Sequence, residues 1–213
     1  MESDRWRFEV GALLRETLAL LAKSSWRAVL ALIVLTAFGT FMDVWAQRAN
    51  IVFSIVALAF QWWLTSFLLE QFGKDDPGRG SGNIIGVSFV SGLAVLFGLV
   101  LFIIPGVILL VRWSIAVPIV LSEREGVSAA LRESWHRTEG HFWPILGLFL
   151  VIYVPMLAYL LVIGVVTASS NSVVTSILAN AGVSAGFVVG WHSDVALFFA
   201  SDPPAKRLQE VFA

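Results

Sequence analysis

Long apolar runs separated by short polar stretches make up most of the chain. Runs of about 17 to 25 apolar residues are long enough to cross a bilayer as helices. Six such spans are predicted, over residues 28–46, 50–70, 84–104, 106–122, 143–166 and 174–199. The pattern therefore predicts an all-α, polytopic membrane helical bundle in which residues 1–213 form a single membrane domain.

A proline–glycine pair, Pro105 and Gly106, separates the third span from the fourth. Proline lacks a backbone N–H and glycine adopts unusual dihedral angles, so the pair favours a tight hairpin between two antiparallel spans. The alternative is one kinked helix over residues 84–122. At about 1.5 Å per residue that helix would far exceed the roughly 30 Å hydrocarbon core, and we therefore expect the hairpin.

Two segments beside the spans, residues 5–24 and 127–139, have the periodicity of amphipathic interfacial helices. Such helices lie flat at the membrane surface, where they either anchor the spans or contact anionic lipid. The predicted apolar stripes are Trp6, Val10, Leu13, Leu14, Leu18 and Leu21 in the first helix, and Val127, Leu131, Trp135 and Thr138 in the second.

The two interfacial segments are also related in sequence. With a shift of 117 residues, Leu14-Arg15-Glu16-Thr17 aligns with Leu131-Arg132-Glu133-Ser134, and Trp26 aligns with Trp143. Both copies lead from the same side into the membrane. The match indicates a duplicated unit, an interfacial helix plus the span that follows it, in parallel orientation.

The placement of basic residues predicts the topology. By the positive-inside rule, the loops and termini that carry lysine and arginine are cytosolic. This places the N-terminus and the tail, residues 200–213, in the cytosol, with Arg48 alone on the opposite side. The cytosolic basic residues are Arg5, Arg7, Arg15, Lys23, Arg27, Lys74, Arg79, Arg124, Arg132, Arg137, Lys206 and Arg207.

Composition narrows the possible functions. The chain is 58% hydrophobic and 14% charged, with a net charge of -1 and no cysteine. Because the chain has no net positive charge, its electrostatics do not favour nucleic-acid binding. The absence of cysteine excludes disulfides, thiol catalysis and cysteine metal sites. We expect neither a metal nor a cofactor.

Residues 104–143 contain, in this order, Ile104-Pro105-Gly106, Arg112-Trp113, Pro118, Glu123, Ala130-Leu131-Arg132-Glu133-Ser134-Trp135, Thr138, Gly140 and Trp143. This forty-residue stretch resembles the membrane domain of bacterial glycerophosphodiester phosphodiesterases and related small multi-span proteins. The resemblance implies a six-helix module of the bacterial inner (cytoplasmic) membrane, with a largely undefined function. A soluble catalytic barrel follows this domain in the named enzymes. Because the sequence ends at Ala213, we expect no phosphodiesterase activity.

Arg112, inside the fourth span, is the first candidate for a functional residue. An arginine at the centre of a transmembrane helix costs about 2.5 to 3.5 kcal/mol on insertion scales and needs a partner. One interpretation is a structural ion pair with Asp43. The other is a lipid or anion contact formed with Trp113, Arg132 and Trp135.

Two other groups of residues have weaker functional signals. Glu70, Glu123, His192 and Asp194 are all expected near the cytosolic boundary, without the spacing of a known metal motif. In the sixth span, Gly182, Gly186 and Gly190 line one face. Such a face allows close helix packing, within the chain or between two copies, and Ser88 and Gly92 are candidates to receive it.

The leading functional hypothesis is a non-catalytic membrane protein that organises lipid or serves as an accessory subunit of a membrane complex. Its expected partners are membrane lipids, and a protein partner or a second copy is the alternative. A small transporter for an anionic or lipid-like solute is the second hypothesis, and it rests on the duplication and on Arg112. A membrane-embedded lipid-active enzyme is the third, because the sequence has no recognisable catalytic constellation.

Overall fold

The computed structural model describes residues 8–45, 50–73, 81–101, 103–123, 125–167 and 172–201. In these ranges all the regular elements are α-helices. They are α1 (Val10–Lys23), α2 (Ser25–Trp45), α3 (Asn50–Glu70), α4 (Ser81–Leu101), α5 (Ile103–Arg112), α6 (Ala116–Glu123), α7 (Val127–Arg137), α8 (Phe142–Val166) and α9 (Val173–Ser201).

Five stretches of helix are long and apolar enough to cross a membrane, so the chain is a multi-pass membrane protein. In α4 the apolar stretch is shorter, Asn83–Gly98, although the helix itself has 21 residues. The six-span count and the cytosolic termini stay predictions. The five stretches are Ser25–Val44, Val52–Glu70, Ile103–Glu123, Phe142–Val166 and Val173–Ser201. Trp6 and many of the basic residues used for topology lie outside the described residues, namely Arg5, Arg7, Arg48, Lys74, Arg79, Arg124, Lys206 and Arg207.

The third and fourth spans are two helices packed side by side rather than one kinked helix. α4 ends at Leu101, α5 begins at Ile103, and the two helices are in extensive contact. A Cβ atom added to Gly98 would lie 2.7 Å from the Cα of Gly106, so the two backbones touch at this point. Pro105 and Gly106 are therefore not the turn itself, which is a correction. They lie in the first turn of α5, where Gly106 permits the close approach.

Proline marks the beginning of three helices. Pro105, Pro118 and Pro144 are each the third residue of their helix, in α5, α6 and α8 respectively. The first N–H groups of a helix have no partner within it, so a residue without an N–H costs little there. A proline at that point also keeps the preceding chain from continuing as a regular helix.

The inward faces of α1 and α7 differ from the predicted apolar stripes. In α1 the buried residues are Leu13, Thr17 and Leu20, whereas Leu18 is 55% exposed. In α7 the buried residues are Ala130, Leu131 and Ser134, and the C-cap residue Thr138 is buried too, whereas Trp135 is 40% exposed. The predicted stripes are right for Leu13, Leu131 and Thr138, which are buried. They are wrong for Leu18 and Trp135, which are exposed, and Thr17 and Ser134 face inward instead.

The two copies of the repeat share this pattern of burial. Thr17 and Ser134, which align at the 117-residue shift, are both fully buried. Trp26 and Trp143, which also align, are 61% and 77% exposed. The duplicated sequence therefore presents its hydroxyl inward and its tryptophan outward in both places.

The largest hydrophobic core surrounds α6, in which residues 116 to 121 are all buried. Helices α1, α4, α7, α8 and α9 contribute to this core. The glycine face of α9 packs on α8, where Gly182, Gly186 and Gly190 meet Tyr159, Met156 and Tyr153. The expectation that Ser88 and Gly92 of α4 receive this face is wrong.

We predict that Gly98→Ala destabilises the protein by about 1 to 3 kcal/mol, because the new methyl group overlaps the backbone of Gly106. The control is Gly92→Ala on the same helix, where the space around the Cβ position is open. This change should be neutral or stabilising by up to about 1 kcal/mol, since alanine is the better helix former. Unfolding in detergent measures both. Equal stability of the two variants would contradict the close contact between the backbones of Gly98 and Gly106.

Candidate functional site

The fourth span is interrupted between α5 and α6. In a regular helix the N–H of Ala116 would bond the carbonyl of Arg112, but here it bonds the carbonyl of Trp113 at 3.1 Å. Pro118 has no N–H, so the carbonyl of Ser114 also loses its regular donor. The carbonyl of Arg112 is thereby released from the helix ladder in the middle of an apolar segment.

The hydroxyl of Ser134 in α7 bonds this released carbonyl, and the hydroxyl of Thr138, the C-cap residue of α7, lies near it. Ser134 Oγ donates to the carbonyl oxygen of Arg112 at 2.7 Å, and Thr138 Oγ1 lies 3.3 Å from the same atom. Both side chains are almost completely buried, at 0% and 1% exposure. A buried carbonyl without a donor costs about 1 to 3 kcal/mol, so these contacts determine where α7 docks.

The guanidinium of Arg112, at the end of α5, lies beside Trp135 of α7. Its Cζ atom is 5.3 Å from the ring centroid of Trp135, within the range of a cation–π interaction. Nε and Nη1 are buried and have no hydrogen-bond partner among the described residues. Asp43 instead accepts a hydrogen bond from Asn180 Nδ2 at 2.7 Å. The predicted Asp43–Arg112 ion pair is therefore wrong, because Asp43 faces α9 while Arg112 faces α7.

A pocket of about 410 Å³ opens next to Arg112. Three of the four residues predicted as lipid or anion contacts, Trp113, Arg132 and Trp135, line this pocket, and the fourth, Arg112, stacks on Trp135. The structure thus brings together residues that are about twenty positions apart in sequence. The remaining lining residues are Leu131, His136 and Glu139.

Arg137, although close by, is already neutralised. Its Nη2 and Nε atoms lie 2.6 Å from Glu123 and 2.7 Å from Glu133. Burial is the largest single influence and lowers the pKa of Arg137, but the two glutamates together outweigh it, so the pKa lies above its ordinary value. Arg137 therefore stays charged and paired, whereas the exposed Arg132 lines the pocket and Arg112 lies behind Trp135.

The boundary residues do not form one site. Glu123 pairs with Arg137, whereas His192 Nε2 lies 2.7 Å from Ser24 Oγ and its Nδ1 lies 2.6 Å from the Val188 carbonyl. In the described part of the chain, no group of three or more histidine, cysteine, aspartate or glutamate side chains is arranged to hold a metal. Ser24 and His192 are both fully buried, so their contact holds α9 against the junction of α1 and α2.

Sequence reasoning missed the hydroxyl pair of α7 as functional residues. Ser134 and Thr138 are four positions apart and so lie on one helical face, shortly after a span that contains Pro118. Two hydroxyls on one helical face near such a proline indicate that a backbone carbonyl has lost its regular donor. Only the packing of the helices identified that carbonyl as the one of Arg112.

We predict that Ser134→Ala lowers the free energy of unfolding by about 1 to 3 kcal/mol, because it removes the shorter hydrogen bond to the buried Arg112 carbonyl. The matched control is Ser128→Ala, an exposed serine on the same helix, with an expected effect within about 0.5 kcal/mol. Thermal unfolding in detergent compares the two. If both changes have the same small effect, the hydrogen bond of Ser134 does not stabilise the interruption between α5 and α6.

A family model described as the membrane domain of glycerophosphoryl diester phosphodiesterase matches residues 84–190. This is half of the chain, from α4 to the middle of α9, and it contains the pocket beside Arg112. Asp43 and helices α1 to α3 lie outside the matched range. No curated protein and no solved structure matches the chain.

Proposed function

The chain belongs to the family of the membrane domain of glycerophosphoryl diester phosphodiesterase, and we propose that it is a non-catalytic membrane protein that binds phosphate-bearing lipid headgroups. The observation that carries the proposal is the Arg112 guanidinium, which has two buried nitrogens without a partner beside an open pocket. Lipid phosphate supplies the missing acceptor oxygens.

The chemistry of the pocket fits a phosphate at the edge of the hydrocarbon region. Guanidinium groups bind phosphate oxygens through several N–H donors, and Arg132 adds a second cation at the entrance. Trp113 and Trp135 provide the aromatic surface that is typical of the membrane interface. A headgroup phosphate thus satisfies Arg112, while the attached acyl chains lie along the exposed apolar faces of the bundle.

Two observations support a non-catalytic role in the bacterial inner membrane. The Ser24–His192 contact, which resembles a nucleophile and base, is fully buried and does not line the pocket. The proposed cytosolic basic residues also fit an inner-membrane protein whose surface contacts anionic lipid. We propose membrane lipids as the partners, with a protein partner or a second copy as the alternative.

The interruption at residues 113–115 favours transport of an anionic or lipid-like solute as the second candidate function. Many transporters place a substrate site where a transmembrane helix is broken, and here the break adjoins Arg112. Headgroup flux across proteoliposomes distinguishes this function from retention of lipid at a fixed site.

We predict that Arg132→Gln reduces retention of phosphatidylglycerol about fivefold, because each basic residue near the membrane surface contributes about 1 kcal/mol to anionic lipid binding. The matched control is Arg15→Gln. Arg15 is the aligned residue of the repeat and is also exposed, but Leu18 stands where Trp135 stands in the second copy. Native mass spectrometry of the detergent-solubilised protein measures bound lipid.

Two added samples complete this experiment. A diacylglycerol with the same acyl chains lacks the phosphate and should not be retained, whereas inorganic phosphate as a competitor tests whether the site takes a free anion. Equal retention of phosphatidylglycerol and diacylglycerol would refute the function. Equal losses in the two arginine variants would show that general surface charge, rather than the pocket, holds the lipid.

We predict that Arg112→Leu abolishes the selective retention of phosphatidylglycerol while stability in lipid-free detergent stays the same or rises. The reason is that removing a buried charge without a partner relieves a desolvation cost. Unfolding and native mass spectrometry on the same sample measure both effects. A loss of stability greater than about 2 kcal/mol would instead indicate a structural role for Arg112.

A further inference from the structure

Two cations lie where α1 meets α2. Lys23 is the last residue of α1, and Arg27 lies in the first turn of α2. Lys23 is exposed and Arg27 is half-buried. In the described part of the chain, neither side chain has a hydrogen-bond partner or a carboxylate within salt-bridge distance. Both positive charges are therefore uncompensated by the residues described.

Three aromatic rings surround the guanidinium of Arg27. Its Cζ atom lies 3.2 Å from the ring centroid of Phe67, 5.1 Å from that of Trp26 and 5.5 Å from that of Trp63. All three distances are within the range of a cation–π interaction. The two tryptophans meet edge to face, with their centroids 6.2 Å apart. The rings thus stabilise the charge of Arg27, but they provide no acceptor atom for its N–H groups.

Stacking leaves the edge of this guanidinium free. The N–H donors of arginine lie in the plane of the group, whereas an aromatic ring stacks on its face. Nε is buried and has no hydrogen-bond partner among the described residues. Nη1 and Nη2 also lack a partner there, but they are not buried. Two donors can therefore reach an acceptor that approaches from outside the protein.

The position of Arg27 in the bundle indicates what that acceptor is. The apolar stretch Ser25–Val44 begins just before Arg27, and the stretch Val52–Glu70 ends just after Phe67. The ends of two membrane-spanning stretches lie where the hydrocarbon region gives way to the headgroups. Trp26 is 61% exposed, and exposed tryptophan is typical of this level. The acceptor oxygens that reach Arg27 here are those of headgroup phosphates.

We infer that Arg27, supported by Lys23, binds the phosphate of an anionic membrane lipid. A guanidinium binds phosphate oxygens through two parallel N–H bonds, for which Nη1 and Nη2 are available. The Nζ atom of Lys23 lies 4.5 Å from the ring centroid of Phe72, just beyond the end of α3, and adds a second positive charge there. None of these residues lines the pocket beside Arg112, so this site is independent of the proposed function.

Native mass spectrometry of the detergent-solubilised protein, titrated with phosphatidylglycerol, counts the bound lipids and so separates two sites. The test variant is Arg27→Gln, which removes the charge. The matched control is Arg15→Gln, because Arg15 is an exposed arginine of α1 without an aromatic partner in the described structure. A double variant, Arg27→Gln with Arg132→Gln, tests whether the two sites are independent.

We expect Arg27→Gln to weaken the retention of one lipid about fivefold, the effect of one basic residue at a membrane surface. Arg15→Gln should change retention less than about twofold, because solvent screens an exposed charge. The double variant should lose both lipids. Equal losses from Arg27→Gln and Arg15→Gln would overturn the site, as would a double variant no weaker than Arg132→Gln alone. Loss of a lipid from Arg27→Gln but not from Arg132→Gln would support this site and refute the pocket.

Arg27→Lys keeps the charge and guards against misfolding of the glutamine variant. It should retain the lipid about threefold more weakly than the natural protein, because an ammonium lacks the planar fork of donors. Retention equal to that of the natural protein would show that the guanidinium is not the binding group. Diacylglycerol and inorganic phosphate are the two further probes. Retention of diacylglycerol would rule out phosphate as the bound group, and binding of inorganic phosphate alone would assign the site to a free anion instead of a lipid.

Discussion

The hydrogen bond from Ser134 to the carbonyl of Arg112 is the contact on which the arrangement of the second half of the chain depends. A transmembrane helix can be interrupted only where its released backbone groups find new partners, because the hydrocarbon core offers none. Here α7 provides the donors. The interruption between α5 and α6, the docking of α7 and the position of Trp135 over Arg112 therefore depend on one another.

This arrangement also explains why Arg112 lies against Trp135, which lines a pocket, rather than against a carboxylate. Its carbonyl holds α7 in place, while its side chain extends toward the surface that α7 brings with it. Arg137, on α7 itself, has the opposite situation, because two glutamates neutralise it. In the described structure Arg27, Arg112 and Arg137 each have buried guanidinium nitrogens without a hydrogen-bond partner, but Arg137 is paired with two carboxylates, whereas Arg112 has two such nitrogens.

Small polar side chains have two different roles in this bundle. Where a hydroxyl bonds a carbonyl of its own helix, as in Thr17, it costs little and allows close packing. Where hydroxyls face each other across α2 and α9, they create a polar seam inside an apolar interface. The same residue types therefore have a hydrogen-bond partner in one helix contact and none among the described residues in the other.

Sequence alone was enough to establish the class of protein, the helices and most of their bounds, because apolar length and proline position are local properties of the chain. Three of the six residues that line the pocket, Trp113, Arg132 and Trp135, were also named from sequence. Tertiary packing was needed to show which face of α1 and α7 turns inward, that Asp43 meets Asn180, and that Gly106 contacts Gly98. These outcomes depend on which helices become neighbours. The polar hydroxyl of Ser134 is buried because it bonds the carbonyl that the interruption after Arg112 releases. A hydropathy pattern does not show which polar side chains will be buried for such a bond.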